Sequence, residues 1–100
     1  MPEQEPNELN ACSNWYVYLI RMRNNALYCG ITTDVQRRFK QHQQGTGAKA
    51  LKGKGPLKLE WFKPAGADRS SASKLEYQLK RLPKHKKEQL IAHQQDFVLD

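Results

Sequence analysis

The chain has 100 residues, which is enough for one domain with a modest core and too few for a second domain. Seventeen Lys and Arg residues against ten Asp and Glu residues give a formal net charge of +7, and nucleic acid is the polyanion that such a basic chain most commonly binds. No apolar run approaches the roughly 20 residues of a membrane span, and the polar residues 1–14 lack the apolar core of a signal peptide, so the sequence predicts a cytoplasmic protein without a membrane partner.

A β-hairpin is the first predicted element, after a flexible N-terminal tail over residues 1–13. Residues 15–20 are dense in β-branched and aromatic side chains and predict a buried strand. Residues 23–26 contain two asparagines and predict a turn, and residues 27–32 predict the second strand.

The length of the hairpin loop decides where two tyrosines point. A three-residue loop centred on Asn24 would place Tyr18 opposite Gly30 and Tyr28 opposite Ile20, so that both phenol rings share one face of the sheet. A two-residue loop would place them on opposite faces and weaken any argument for a common site.

An amphipathic helix follows the hairpin. Thr33 or Asp34 offers an N-cap, and the apolar spacing from Val35 onward has the period of a helix. Either Gly45 or Gly47 would end it.

The second half of the chain predicts one strand and two helices. Residues 45–55 hold four glycines and three lysines and predict a mobile basic loop without helix or strand. Residues 57–62 predict a third strand that residues 64–66 close, residues 68–82 predict a second helix, and residues 83–93 predict a third. The order β-β-α-β-α-α predicts a mixed α/β (α+β) fold, a small sheet covered by helices.

Few side chains on these elements suggest chemistry by themselves. Arg38 and His42 share one helix face, where a guanidinium suits a phosphate and an imidazole can move a proton near pH 7. Glu76 flanks the apolar stripe of the second helix, where it would either pair with Lys80 or bind a hard metal ion. Taken alone, each of these residues also has an ordinary structural explanation. For His42 that explanation is a position on the helix surface, and Arg37 is expected on a solvated helix face.

Together, the segments resemble the GIY-YIG nuclease superfamily, and most closely its short stand-alone bacterial members. The tripeptides Tyr16-Val17-Tyr18 and Tyr28-Cys29-Gly30 are similar to the two signature tripeptides, and their tyrosines are ten residues apart, as two strands of one hairpin require. The similarity extends from about residue 15 to residue 91 and includes residues 32–35, 47–50, 68–70 and 72–80.

The resemblance implies a three-stranded antiparallel sheet flanked by helices over residues 14–93, followed by a C-terminal tail over residues 94–100. It also implies hydrolysis of DNA phosphodiester bonds with Mg²⁺ or Mn²⁺, in DNA repair or recombination. Carried over position by position, it assigns Gly30 as the motif glycine and gives catalytic roles to Tyr18, Tyr28, Arg38, His42 and Glu76.

Within this assignment Glu76 would hold the metal ion and Arg38 would offset developing negative charge. Tyr18 or Tyr28, or else His42, would take the proton from the attacking water. Backbone phosphates would contact basic side chains outside the centre. These are Arg37, Lys49, Lys52, Lys54, Lys80, Lys84, Lys86 and Lys87.

Three departures from the family pattern keep an alternative open, a nucleic-acid-binding module of the same fold with little or no catalysis. Tyr16 stands where the family has glycine, Ile31 stands where some members have lysine, and no asparagine follows Asn25, whereas many members have one after the glutamate. RNA is a further possible partner, and the charge alone would also suit an RNA- or ribosome-associated protein. We expect a monomer, with Cys12 and Cys29 as free thiols.

Overall fold

The computed structural model describes residues 14–93. The two predicted tails, residues 1–13 and 94–100, and Cys12 with them, lie outside the described residues. The elements in chain order are β1 (Trp15–Arg21), β2 (Leu27–Thr32), α1 (Val35–Gln43), β3 (Lys58–Gly66), α2 (Arg69–Arg81) and α3 (Lys84–His93). This confirms the predicted order and the mixed α/β class, and the three strands form one antiparallel sheet in the order β2-β1-β3. In the described part of the chain, every helix is too short or too polar to cross a membrane.

The hairpin has the register that a three-residue loop predicts. Tyr18 lies opposite Gly30, and Ile20 lies opposite Tyr28. Asn25 takes the left-handed backbone conformation, with φ of 72°, which asparagine tolerates better than most residues. Both tyrosines therefore belong to the same face of the sheet.

The sheet separates two hydrophobic layers. On one face, which we call the α2–α3 layer, the helices α2 and α3 cover the core; its buried residues are Val17, Leu19, Cys29, Trp61, Ala65, Ala72, Leu79 and Leu90. The other face, which we call the α1 layer, is centred on Tyr18, Ile20 and Leu51, with Phe39 of α1 packed against them. Alternation of side chains along β1 sends neighbouring residues into different layers.

The segment between α1 and β3 is more ordered than predicted. Lys49–Leu51 form a short 3₁₀ helix, so the prediction of a loop without helix was wrong. The reason is Leu51, which is 1 % exposed and anchors the segment in the α1 layer. α1 ends before this segment, and Gly45 takes a φ of 80°, as expected of a residue that follows a helix.

β3 is longer than the sequence predicts. It continues through Pro64 to Gly66, the segment that was expected to close the strand. Proline is tolerated here because β3 lies at the edge of the sheet, where a strand can lack one N–H donor. Asp34 caps α1 as predicted, by accepting from the Arg37 N–H, and Asp68 caps α2 in the same way by accepting from the Ser71 N–H.

Candidate active site

Three rings meet between the sheet and α1. The ring centroids of Tyr18 and His42 are 5.8 Å apart, those of Tyr28 and His42 are 5.6 Å apart, and those of the two tyrosines are 6.4 Å apart. We call these three residues the ring cluster. The hairpin register supplies the two phenols, and α1 supplies the imidazole from its last turn.

Hydrogen bonds define the tautomer of His42. Its Nδ1 accepts from the backbone N–H of Ala48 at 3.2 Å, and a backbone amide can only donate. The hydrogen of the neutral ring is therefore on Nε2, which lies 2.8 Å from the Tyr18 hydroxyl oxygen. It follows that His42 donates to Tyr18, and that the Tyr18 hydroxyl keeps its own hydrogen for another acceptor.

Burial and the charge of Arg38 determine the protonation of this pair. His42 is 2 % exposed, and burial, followed by the charge of Arg38, lowers its pKa to about 4. Burial also raises the pKa of the Tyr18 phenol to about 12, while hydrogen bonding and charge from Arg38 oppose that rise. At neutral pH the imidazole is uncharged and the phenol is protonated. The sequence had suggested a helix-surface histidine at position 42, and the structure corrects this.

Two glycines allow the close packing of the ring cluster. A Cβ atom on Gly30 would lie 2.4 Å from the Tyr18 hydroxyl oxygen, because the ring of Tyr18 crosses the β2 backbone at that point. A Cβ atom on Gly47 would lie 2.3 Å from Nδ1 of His42. Glycine at both positions therefore lets backbone approach a functional side chain more closely than any other residue would permit.

Glu76 comes from the other layer. It follows Leu75, which packs on the α2–α3 core, and its carboxylate lies 3.3 Å from Lys80 Nζ. Burial raises the pKa of Cys29 to about 12, and the charge of Glu76 is the second cause. Cys29, a buried free thiol, stands between Tyr28 and Gly30 in β2, which is an edge strand. Glu76 thus lies close to the strand that carries Tyr28 and Gly30, but its helix covers the opposite face of the sheet from the phenols of Tyr18 and Tyr28.

The described residues suit a metal ion that is held mainly by water and substrate. Residues 14–93 contain no group of three or more His, Cys, Asp or Glu side chains able to form a complete protein cage. Glu76 is a single carboxylate whose side chain is 23 % exposed. Mg²⁺ is commonly held by one or two carboxylates together with waters and substrate phosphates. The donor set fits that mode of binding.

The predicted phosphate-binding side chains fall into two groups. Lys49, Lys52 and Lys54 are exposed on the segment that Leu51 anchors in the α1 layer. The other group lies on α2 and α3 and is partly engaged within the protein. Lys80 pairs with Glu76, Lys84 pairs with Glu88, and Lys87 Nζ lies 3.5 Å from the Lys80 carbonyl oxygen; Lys86 is exposed, as is Arg37 on α1.

Three participants could hardly be found from the sequence. The backbone N–H of Ala48 and the close approach at Gly47 depend on the fold of the segment after α1, and the only signal was their place in a motif. Arg69 begins α2 and lies with its guanidinium 5.6 Å from the centroid of the Trp15 ring. Its segment belongs to the resemblance, which predicts no charge role for this arginine.

Comparisons with known proteins identify relatives over nearly all the described residues. The family model described as the GIY-YIG catalytic domain matches residues 14–89. A UPF0213 protein of Vibrio cholerae is 64 % identical over 80 residues, which are 80 % of this chain and 79 % of that protein. The UPF0213 protein YhbQ of Escherichia coli is 57 % identical over 84 residues, or 84 % and 83 % of the two chains. The solution NMR structure of a UPF0213 protein from Bacillus halodurans is 40 % identical, covers 78 % of this chain and 82 % of its own, and has a TM-score of 0.49.

Proposed function

This chain belongs to the GIY-YIG catalytic domain family, and on that premise we propose that it hydrolyses DNA phosphodiester bonds with a divalent metal ion. The observation that carries the proposal is the 2.8 Å hydrogen bond from His42 to Tyr18 beside Arg38. A phenol oxygen that accepts hydrogen bonds from an imidazole N–H and a guanidinium can better carry a negative charge. A tyrosine that acts as the general base must carry this charge before it takes the proton.

Tyr18 would take the proton from the attacking water as its phenolate. The protein alone keeps this phenol protonated at neutral pH, so the positive charges of Arg38 and of a bound metal ion would have to lower its pKa. The Tyr18 oxygen accepts from Nε2 of His42, and hydrogen bonding by Arg38 lowers its pKa against the effect of burial. His42 itself has no uncommitted lone pair, because Nδ1 already accepts from Ala48. Its role is therefore to position Tyr18 rather than to act as the base.

Arg38 would bind the phosphate that is attacked. Its Nη1 is 3.0 Å from the Gln41 side-chain oxygen, which holds the guanidinium near the ring cluster. A guanidinium at this place offsets the negative charge that develops on the phosphoryl oxygens. Tyr28 completes the wall of the site through its edge contact with His42.

Glu76 is the side chain that would hold the metal ion. A bound divalent cation would supply polarisation of the phosphoryl oxygen and stabilisation of the leaving oxygen. The ion pair between Glu76 and Lys80 would have to open, and this costs little because the Lys80 side chain is 55 % exposed and such pairs contribute about 0.3–0.5 kcal/mol.

A second function remains a candidate, DNA binding without cleavage. Three observations favour it: the pairing of Glu76 with Lys80, the position of Glu76 in a different layer from the ring cluster, and the absence of any asparagine after Asn25 in the sequence. In that case the ring cluster would serve packing alone, and Arg38 would bind a phosphate that is not cut.

The test compares cleavage of linear, nicked, single-stranded and branched DNA by the wild type, Tyr18→Phe and Glu76→Gln, each with Mg²⁺, Mn²⁺ or EDTA. We expect metal-dependent cutting by the wild type. Loss of a general base typically lowers the rate about 10²- to 10⁴-fold, which is the effect expected of Tyr18→Phe. Glu76→Gln should in addition require more metal for half-maximal activity.

Tyr77→Phe is the matched control, because it removes the same hydroxyl from an exposed tyrosine on α2 that bonds only Arg81 among the described residues. It should cut like the wild type. Equal cutting by all four proteins would indicate a contaminating nuclease. DNA binding by the wild type without cutting of any substrate would contradict hydrolysis and support the binding module.

A further inference from the structure

A cleft of about 300 Å³ opens beside the ring cluster, where the start of β1 and the end of β2 meet the first turns of α1 and α2. We call it the arginine cleft. Its charged and aromatic lining consists of Trp15, Asp34, Arg37, Arg38 and Arg69. Three guanidinium groups therefore surround one small cavity, against a single carboxylate.

Among the described residues, the three guanidinium groups of this cleft have no carboxylate partner within ion-pair distance. Arg21 pairs with Glu60 and Glu88, and the side chains of Lys58, Lys80 and Lys84 each pair with a glutamate. Within residues 14–93, by contrast, no ion pair joins a carboxylate to Arg37, Arg38 or Arg69. Asp34, the one acid of the lining, is engaged as the cap of α1. Positive charge that the fold leaves uncompensated around a cavity favours an anionic ligand.

Trp15 and Arg38 give the cleft its shape and its place. The Arg69 guanidinium lies over the Trp15 ring, 5.6 Å from the centroid, and a cation–π contact of this kind holds a long side chain against one wall. Arg38 belongs both to the lining and to the surroundings of Tyr18, where its hydrogen bonding opposes the rise that burial causes in the pKa of the phenol. A ligand in the cleft is therefore adjacent to the reacting centre.

We propose that the arginine cleft is a second phosphate-binding site, which holds the phosphate of the substrate strand next to the one that is cut. Arg37 and Arg69 bind this phosphate, and Arg38 lies between the two phosphates. The inference rests on the proposed function, because it takes nucleic acid as the ligand. A phosphate bound in the cleft would fix the position of the DNA strand. It would thereby determine which neighbouring phosphodiester bond faces Tyr18.

The test is phosphate interference, measured as binding in EDTA so that no strand is cut. A set of oligonucleotides carries one neutral methylphosphonate each, moved along the strand. For the wild type we expect one position at which neutralisation weakens binding about tenfold, as expected for a charge-assisted contact. For Arg69→Gln and for Arg37→Gln, unmodified DNA should bind more weakly, and neutralisation at that position should have a clearly smaller effect than in the wild type, because one of the two contacts is already lost.

Arg81→Gln is the matched control, because it removes the same charge from the other end of α2, outside the cleft. It should keep the wild-type interference pattern. Interference of wild-type size at the same position in both Arg69→Gln and Arg37→Gln would overturn the proposal. So would equal weakening by Arg81→Gln at every position, or an absence of DNA binding by the wild type.

A phosphate in the cleft could belong to the interior of a strand or to its end. Oligonucleotides with and without a 5′-phosphate separate these sources. The terminal phosphate raises the affinity in an Arg69-dependent way only if the cleft binds the end of a strand. The binding assay is also independent of catalysis. A protein that never cuts DNA but shows Arg69-dependent interference would refute the hydrolase and keep the phosphate site, whereas normal cutting with unchanged interference in Arg69→Gln would refute the site alone.

Discussion

His42 is a residue whose surroundings matter more than its position in a sequence pattern. A histidine near the end of a short polar helix is expected at the surface. Here it is buried because Ala48 and Tyr18 satisfy both ring nitrogens, and one of these partners comes from a segment after the helix. Local periodicity describes a helix face but not the partners that the rest of the chain brings to it, so the sequence alone could not predict this contact.

Burial of a neutral His42 makes stability depend on pH. Its pKa falls from 6.5 to about 4 on folding, so between these values the unfolded chain binds more protons than the folded protein. The free energy of unfolding therefore rises with pH across that window and decreases on acidification, by on the order of 3 kcal/mol. His42→Phe should lose this component of the pH dependence in urea titrations at pH 4 to 7. His85→Gln, which changes an exposed histidine, should retain it, and an unchanged slope in His42→Phe would contradict the assignment.

Gly47 supports the same histidine from the backbone side. Gly47→Ala would bring a Cβ atom to 2.3 Å from Nδ1 of His42, so the ring or the segment must move. We expect a loss of about 1–3 kcal/mol in the free energy of unfolding, typical of overpacking. Gly55→Ala is the control, because there the nearest atom would be 3.8 Å away. Equal stability of the two variants in urea would show that His42 does not approach the Gly47 backbone.

Among the elements, the hairpin was the most predictable. The number of loop residues alone sets the parity of the register, and a turn at Asn24 was enough to place Tyr18 opposite Gly30. The extension of β3 through Pro64 was less predictable, because it depends on β3 being an edge strand. Which strand occupies the edge follows from the packing of the whole sheet, which no local segment encodes.

α3 depends on ion pairs for its attachment more than α2 does. Its only buried residue is Leu90, while Glu88 receives two hydrogen bonds from Arg21 of β1. Arg21 also donates to Glu60 of β3 at 2.6 Å, so one guanidinium joins two strands and a helix. The interaction holds the pKa of Glu88 at about 2, well below its usual range.

Arg21→Gln should therefore loosen α3 selectively. The Glu60 side chain is only 12 % exposed and would lose its main partner, which costs about 1–3 kcal/mol for a partly buried charge. In hydrogen exchange, amides of α3 should exchange faster while those of α2 change less. Arg81→Gln, which removes an exposed arginine, serves as the control. Uniform acceleration in both helices would show that the network stabilises the whole domain and not α3 in particular.

At the scale of the whole molecule, the sheet divides the candidate site between two layers. The ring cluster lies in the α1 layer, and Glu76 approaches β2 from the α2–α3 layer. The sequence identified these residues through their resemblance to a family, but periodicity cannot tell which face of a sheet a later helix will cover. The lysines are a second example. In the sequence they form one basic set, whereas in the fold they lie in two different layers.

This division predicts that the two groups of lysines contribute unequally to DNA binding. Lys49, Lys52 and Lys54 are exposed in the α1 layer beside the ring cluster, whereas Lys84 and Lys87 in α3 interact with Glu88 and the Lys80 carbonyl. Replacing the three loop lysines by glutamine should reduce the slope of log affinity against log salt by about 0.9 for each duplex phosphate that no longer binds a lysine. Replacing Lys84, Lys86 and Lys87 removes the same charge and should leave the slope nearly unchanged. Equal changes would mean that DNA responds to the net charge of +7 as a whole, and that the strand does not lie along the α1 layer.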